Sequence, residues 1–157
     1  MKIRSLMFGM IAGLALSLTA GSALAGDDHE VCDEGCTPGY WKQDQHFDSW
    51  PTPYSPGSNL RDVFVTSPVT LVPDDSFLEA LNYGGGPGVE GATQILLRAA
   101  VAALLNSSSP DVNFAVSSGH VINTTIDRLE SQWRPTILTR ATYFDSINNG
   151  PGGCPLD

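Results

Sequence analysis

Basic residues are scarce in this chain. Lysine and arginine number 8 against 17 aspartates and glutamates in 157 residues, a formal net charge of −9. A chain of that sign repels phosphate backbones and anionic lipid surfaces, which argues against nucleic-acid partners and against stable membrane attachment. Histidine and cysteine are equally sparse, at 3 each. Zinc sites usually show His or Cys pairs at knuckle or helical spacing, and nothing here supplies the full ligand set, so no metal and no cofactor are expected. The Gly-x-Ser-x-Gly elbow of hydrolases is missing, and the run Gly84-Gly85-Gly86-Pro87-Gly88 lacks the lysine of a phosphate loop. There is no internal repeat and no sustained heptad, which excludes solenoids and coiled coils.

What is present begins with an export signal over residues 1–25. Lys2 and Arg4 supply a basic start, Leu6 to Leu18 an apolar stretch, and Ala23-Leu24-Ala25 a small-residue cleavage site. Removing it leaves about 130 residues, enough for one domain with its own core. Six basic side chains then face all 17 acidic ones. The expected compartment is extracellular or the cell surface, with the periplasm also compatible with such a signal.

All three cysteines, Cys32, Cys36 and Cys154, lie beyond the signal, where oxidising conditions let disulfides persist. Joining Cys36 to Cys154 closes a loop of more than a hundred residues, worth roughly 4–5 kcal/mol of chain entropy. Joining Cys32 to Cys36 closes a tiny loop worth about 2 kcal/mol. The long clasp is expected, with Cys32 left as a free thiol or an intermolecular bridge.

Residues 26–34 are acidic and aperiodic and read as a flexible arm. Residues 35–74 are rich in proline and aromatic groups and read as an irregular, extended wrap with one short helix near Leu60 to Phe64. Val63 to Val65 and Val69 to Val72 have strand-like composition, limited by Pro68 and Pro73 to edge pieces. From Asp74 the pattern is helical. Asp75 or Ser76 caps a helix carrying Phe77, Leu78 and Leu81. Thr93 to Asn106 is apolar on nearly all sides and spans about 21 Å, a buried core helix too short for a bilayer. Ile122, Ile126, Leu129 and Trp133 share one face of a helix from Ser118 to Trp133. Pro135 suits the first turn of a last helix with Ile137, Ala141 and Phe144 inward. The expected fold is mainly α, one domain over 35–157. It is a compact bundle of about four helices, wrapped by the N-terminal segment and closed by the disulfide.

Several groupings invite a chemical reading. Tyr40, Trp41, Lys42, His46 and Trp50 crowd into eleven residues. Their rings either stack on sugars or a partner, or fold inward as the only core an irregular segment has. Asp44, His46 and Asp48 would share one side of a strand but lack further ligands for a metal. Ser117-Ser118-Gly119-His120 with Asp127 offers triad residue types, yet Ser118 is better explained as a helix cap. Arg98 interrupts the core helix and needs Glu79, Glu90, Asp127 or solvent. Asn106-Ser107-Ser108 and Asn123-Thr124-Thr125 match the glycosylation sequon. None of these is a catalytic set, so no enzyme activity is expected.

Four blocks stand in fixed order: Gly35-Cys36-Thr37-Pro38-Gly39-Tyr40-Trp41-Lys42, the aromatic run to Trp50, the helix Arg98 to Asn106, and Asn148-Asn149 to Gly153-Cys154-Pro155-Leu156. Together they resemble a module of exported bacterial proteins, found alone or beside repeat domains of surface and adhesion proteins. The likeness covers residues 35–156 and leaves Cys32 outside. It implies an extracellular location and a surface or structural role, and no catalytic residues. The expected function is a secreted or cell-surface structural component that contacts other extracellular proteins, a matrix or itself. The alternatives are a polysaccharide-binding module using Tyr40 to Trp50, and an extracellular hydrolase with no located site.

Overall fold

A computed structural model describes residues 33–65 and 72–157. The export signal, Cys32, most of the acidic arm and most of the Val69–Val72 piece lie outside the described residues. In chain order the elements are α1 (Pro38–Trp41), a 3-10 helix (Asp44–Ser49), α2 (Leu60–Phe64), α3 (Phe77–Leu81), α4 (Gly88–Ser108), α5 (Ser118–Glu130) and α6 (Arg134–Asn148). Among the described residues β pairing is limited to two isolated bridges, Glu34 with Gly153 and Asn59 with Ser76. The fold is mainly helical, and α4 is its axis, packed chiefly on α6, α5 and α3.

Local chemistry explains where each helix starts. At α3 the Ser76 hydroxyl accepts from the Glu79 amide, and the Glu79 carboxylate accepts from the Ser76 amide at 2.7 Å, a reciprocal capping box. Ser117, rather than Ser118, caps α5. Pro135 occupies the first turn of α6, where its missing N–H leaves nothing unsatisfied. Helix α4 starts inside the glycine run, at Gly88. A side chain at Gly91 would overlap the carbonyl of Gly86, so glycine at that position lets the run fold back on the helix. With 21 residues α4 reaches about 31 Å, long enough to cross a membrane. The expectation from length therefore fails. Burial remains: Leu96, Leu97, Val101, Leu104 and Leu105 are fully enclosed by the other elements.

Three further expectations are corrected. The wrap is not merely extended, since α1 and the 3-10 helix organise residues 38–49. Val63 and Phe64 belong to α2 rather than to a strand. Trp133 does not join the buried face of α5, because that helix ends at Glu130 and Gln132 turns the chain with φ 49°. The inward face consists instead of Val121, Thr125, Ile126 and Leu129. In α6 the inward residues are Ile137, Ala141 and Phe144, as their spacing predicts.

The capping box holds the Glu79 carboxyl below the usual carboxylate range, first through the Ser76 hydroxyl and then through the Ser76 amide. A folded value below the unfolded one gives a contribution that is complete above the ordinary range and lost as pH falls through the folded value. Replacing Ser76→Ala is expected to cost about 1 kcal/mol in urea unfolding. It should also return the Glu79 titration, followed by carboxyl NMR, toward the ordinary value.

Candidate functional site

The two cysteine turns meet. Cys36 and Cys154 form a disulfide with Cα atoms 4.5 Å apart, across 118 positions of sequence. Such a bond is consistent with an extracellular, oxidising environment. The ends are also stitched through their backbones. The Gly35 amide donates to the Gly153 carbonyl at 2.9 Å, and the Gly152 amide to the Asp33 carbonyl at 3.1 Å. Glu34 accepts from the Asn113 amide at 2.7 Å. Asp33 and Glu34, expected at the end of a flexible arm, are thus part of the folded unit. Gly35 permits the close approach, since a Cβ there would meet the Ile147 carbonyl oxygen at 2.5 Å.

Beneath the disulfide lies Asn106, with no exposed surface. Its Oδ1 accepts from the Cys36 amide at 2.9 Å and from the Trp41 indole at 3.1 Å. Its Nδ2 donates to the Cys36 carbonyl and to Asn148 Oδ1, both at 2.9 Å. Asn148 in turn donates to the Ala99 carbonyl in α4 at 2.9 Å. Every hydrogen-bonding site of the Asn106 amide is used, which is what a buried amide requires. Asn106 also opens a glycosylation sequon, and its burial closes it to glycosylation in the folded state. Asn123 lies exposed on α5.

The candidate aromatic platform is not a surface. Trp41 is 0% exposed, Tyr40 5% and Trp50 8%. The Trp50 indole donates to the Trp41 carbonyl at 3.1 Å, and Trp50 and Tyr54 pack on Phe77. His46 stacks on Tyr40 with ring centroids 3.9 Å apart. The Tyr40 hydroxyl donates to the Leu156 carbonyl at 3.0 Å, which pins the C-terminal turn. The rings therefore form the core of the N-terminal segment. Lys42 lies exposed.

The other groupings also resolve. Asp44, His46 and Asp48 ride a 3-10 helix, so strand alternation does not bring them together. Among the described residues no group of three His, Cys, Asp or Glu side chains gathers as a metal site would. Ser117 accepts only from the main-chain amide of His120, and Asp127 pairs with Arg128 at 3.2 Å. Arg98 finds none of the expected carboxylates and donates to the Tyr83 carbonyl at 2.8 Å. The Tyr83 hydroxyl donates to Asp75 at 2.6 Å. Burial, reinforced by that carboxylate, pushes its ionisation above the usual tyrosine range.

Two hollows on the surface of the described residues carry charged or aromatic walls. One is a cleft of about 500 Å³ between α1, the turn after α3, α4 and α6, with Lys42, Arg98 and Asp145 in its walls. The other is an open groove of about 500 Å³ along α5 and α6, lined by Arg128, Thr136, Thr139, Arg140 and Tyr143. The Arg140 guanidinium stands 5.0 Å from the Tyr143 ring and 5.6 Å from the Phe144 ring. Beside the groove, in the turn before α6, Trp133 is 62% exposed. Sequence periodicity concealed it by suggesting a longer α5; the apolar Trp followed by Arg134-Pro135 was the available signal for a helix start. The chain matches no family model, no curated protein and no solved structure.

Removing the Asn106 amide leaves the Cys36 amide and the Trp41 indole without an acceptor inside the protein. Each such loss costs about 1–3 kcal/mol. Asn106→Leu is therefore expected to destabilise the oxidised protein by roughly 3 kcal/mol or more in urea unfolding. Asn123→Leu, at the exposed sequon, should change it by less than about 0.5 kcal/mol.

Proposed function

We propose that the protein is a secreted or cell-surface interaction component, without catalytic activity, that works by contact with another extracellular protein, a matrix or a further copy of itself. The contact face is the outer side of α5 and α6. The observation that carries this reading is the exposure of Trp133, the most exposed large apolar side chain among the described residues, with half-buried Arg140 stacked on Tyr143 nearby. Trp, Tyr and Arg are the residue types that dominate binding energy at protein interfaces. Arg140 costs little entropy to order because ring contacts already position it. The resemblance of the four sequence blocks to exported surface modules supports the same role.

Burial of Tyr40, Trp41 and Trp50 favours this reading over a polysaccharide platform at the N-terminal segment, because a stacking face must be open to a sugar. If a glycan is the partner, Trp133 and Tyr143 are the rings that would meet it.

Sedimentation velocity over a concentration series tests the assembly form of the proposal. Association is expected for the exported protein and should be lost in Trp133→Ser, with unfolding stability unchanged within about 0.5 kcal/mol. A monomer at all concentrations, together with no Trp133 fluorescence change on adding purified cell-surface matrix, would overturn it.

A further inference from the structure

The cleft between α1 and α6 combines features that the interaction face does not share. Lys42 comes from α1's C-terminal edge, Arg98 from α4, and Asp145 and Asn149 from the end of α6. Asn82 and Tyr83 add polar groups from the turn after α3. Two cations and a carboxylate thus line one cavity, and among the described residues no ion pair joins Lys42 or Arg98 to Asp145. The three charged groups do not close on one another, which leaves the space between them for an occupant.

Their hydrogen-bonding capacity defines that occupant. Arg98 commits one guanidinium N–H to the Tyr83 carbonyl, which locks the side chain, and keeps its other donors. Lys42 has no partner among the described residues. These donors suit one carboxylate. Asn82 donates to the Leu78 carbonyl and Asn149 to the Asp145 carbonyl, so each amide keeps its Oδ1 as an acceptor. With the Asp145 carboxylate they offer acceptors to hydroxyl groups. The surrounding protein carries a formal net charge of −9. Such a field opposes a polyanion more strongly than a singly charged one, which the local cations can hold.

We propose that this cleft binds a singly charged hydroxy-carboxylate of the sugar-acid class. The carboxylate lies between Lys42 and Arg98, and the hydroxyls reach Asn82, Asp145 and Asn149. The same chemistry is offered by a free sugar acid and by the end of an oligosaccharide that carries one uronic residue.

NMR titration of the exported protein with galacturonate tests this, with galactose, glutamate and an oligosaccharide of neutral sugars ending in one galacturonate as the other arms. Expected are saturable shifts at Lys42, Arg98 and Asn149 with galacturonate, none with galactose, and weaker binding of glutamate. Lys42→Met, at an exposed position that does not bear on folding, should weaken galacturonate by about tenfold. Tighter binding of the oligosaccharide assigns the cleft to a chain end, and equal binding to the free acid; either supports the proposal. Absence of saturable shifts, preference for glutamate, or unchanged affinity in Lys42→Met would overturn it. Those outcomes leave the Trp133 face untouched, since the two sites share no residue.

Discussion

The rest of the structure depends on how one buried amide is satisfied. Asn106 sits in the last turns of α4, a helix otherwise lined with leucine, alanine and valine, and a polar group there must find partners or destabilise the core. It finds them in the segment that follows the first cysteine. Its Oδ1 and Nδ2 pair with the amide and carbonyl of Cys36 as a neighbouring strand would, and the Trp41 indole and Asn148 take the remaining sites. The N-terminal turn, the central helix and the C-terminal helix are thereby tied at one point. The disulfide lies over that point and makes the tie covalent.

This arrangement explains why a proline-rich segment with little regular structure stays attached. Trp41 is oriented by Asn106, Trp50 by the carbonyl of Trp41, and Phe77 of α3 closes the cluster. Tyr40 then holds the last residues through Leu156. Rings that a sequence reader would offer to a ligand are consumed in building the domain. What is left for recognition is a different set: Trp133 and Arg140 on one side, and the charged walls of the Lys42–Arg98 cleft on another.

The helical class, the Cys36–Cys154 bond, α2, α3 and the inward residues of α6 were all legible in the sequence. Each follows from local signals: caps, a proline in a first turn, apolar spacing and a long loop to close. The misreadings share a cause in tertiary context. The apolar pattern of the core helix opens at Thr93, but Gly91 packs on Gly86 and lets α4 begin at Gly88, inside the glycine run. Trp133 extends the spacing of Ile122, Ile126 and Leu129, but Gln132 turns the chain first. Arg98 reads as half of an ion pair, whereas a carbonyl from the preceding turn was the nearer partner. Asn106 carries no periodic signal, beyond being an amide in the apolar end of a core helix. Lys42 was singled out for its aromatic neighbours, and its place in a cleft with Arg98 could not be read from spacing.

The central claim is that Asn106 holds the two ends of the chain to the core, with the disulfide as a reinforcement. Native-state hydrogen exchange at the Cys36 amide and the Trp41 indole measures this most directly, in the oxidised protein and after selective reduction. The account predicts that both protons exchange only with the global unfolding of α4 in either state, with reduction lowering the protection of all of them together. Exchange of the Cys36 and Trp41 protons by local opening, while the amides of α4 stay protected, would contradict it.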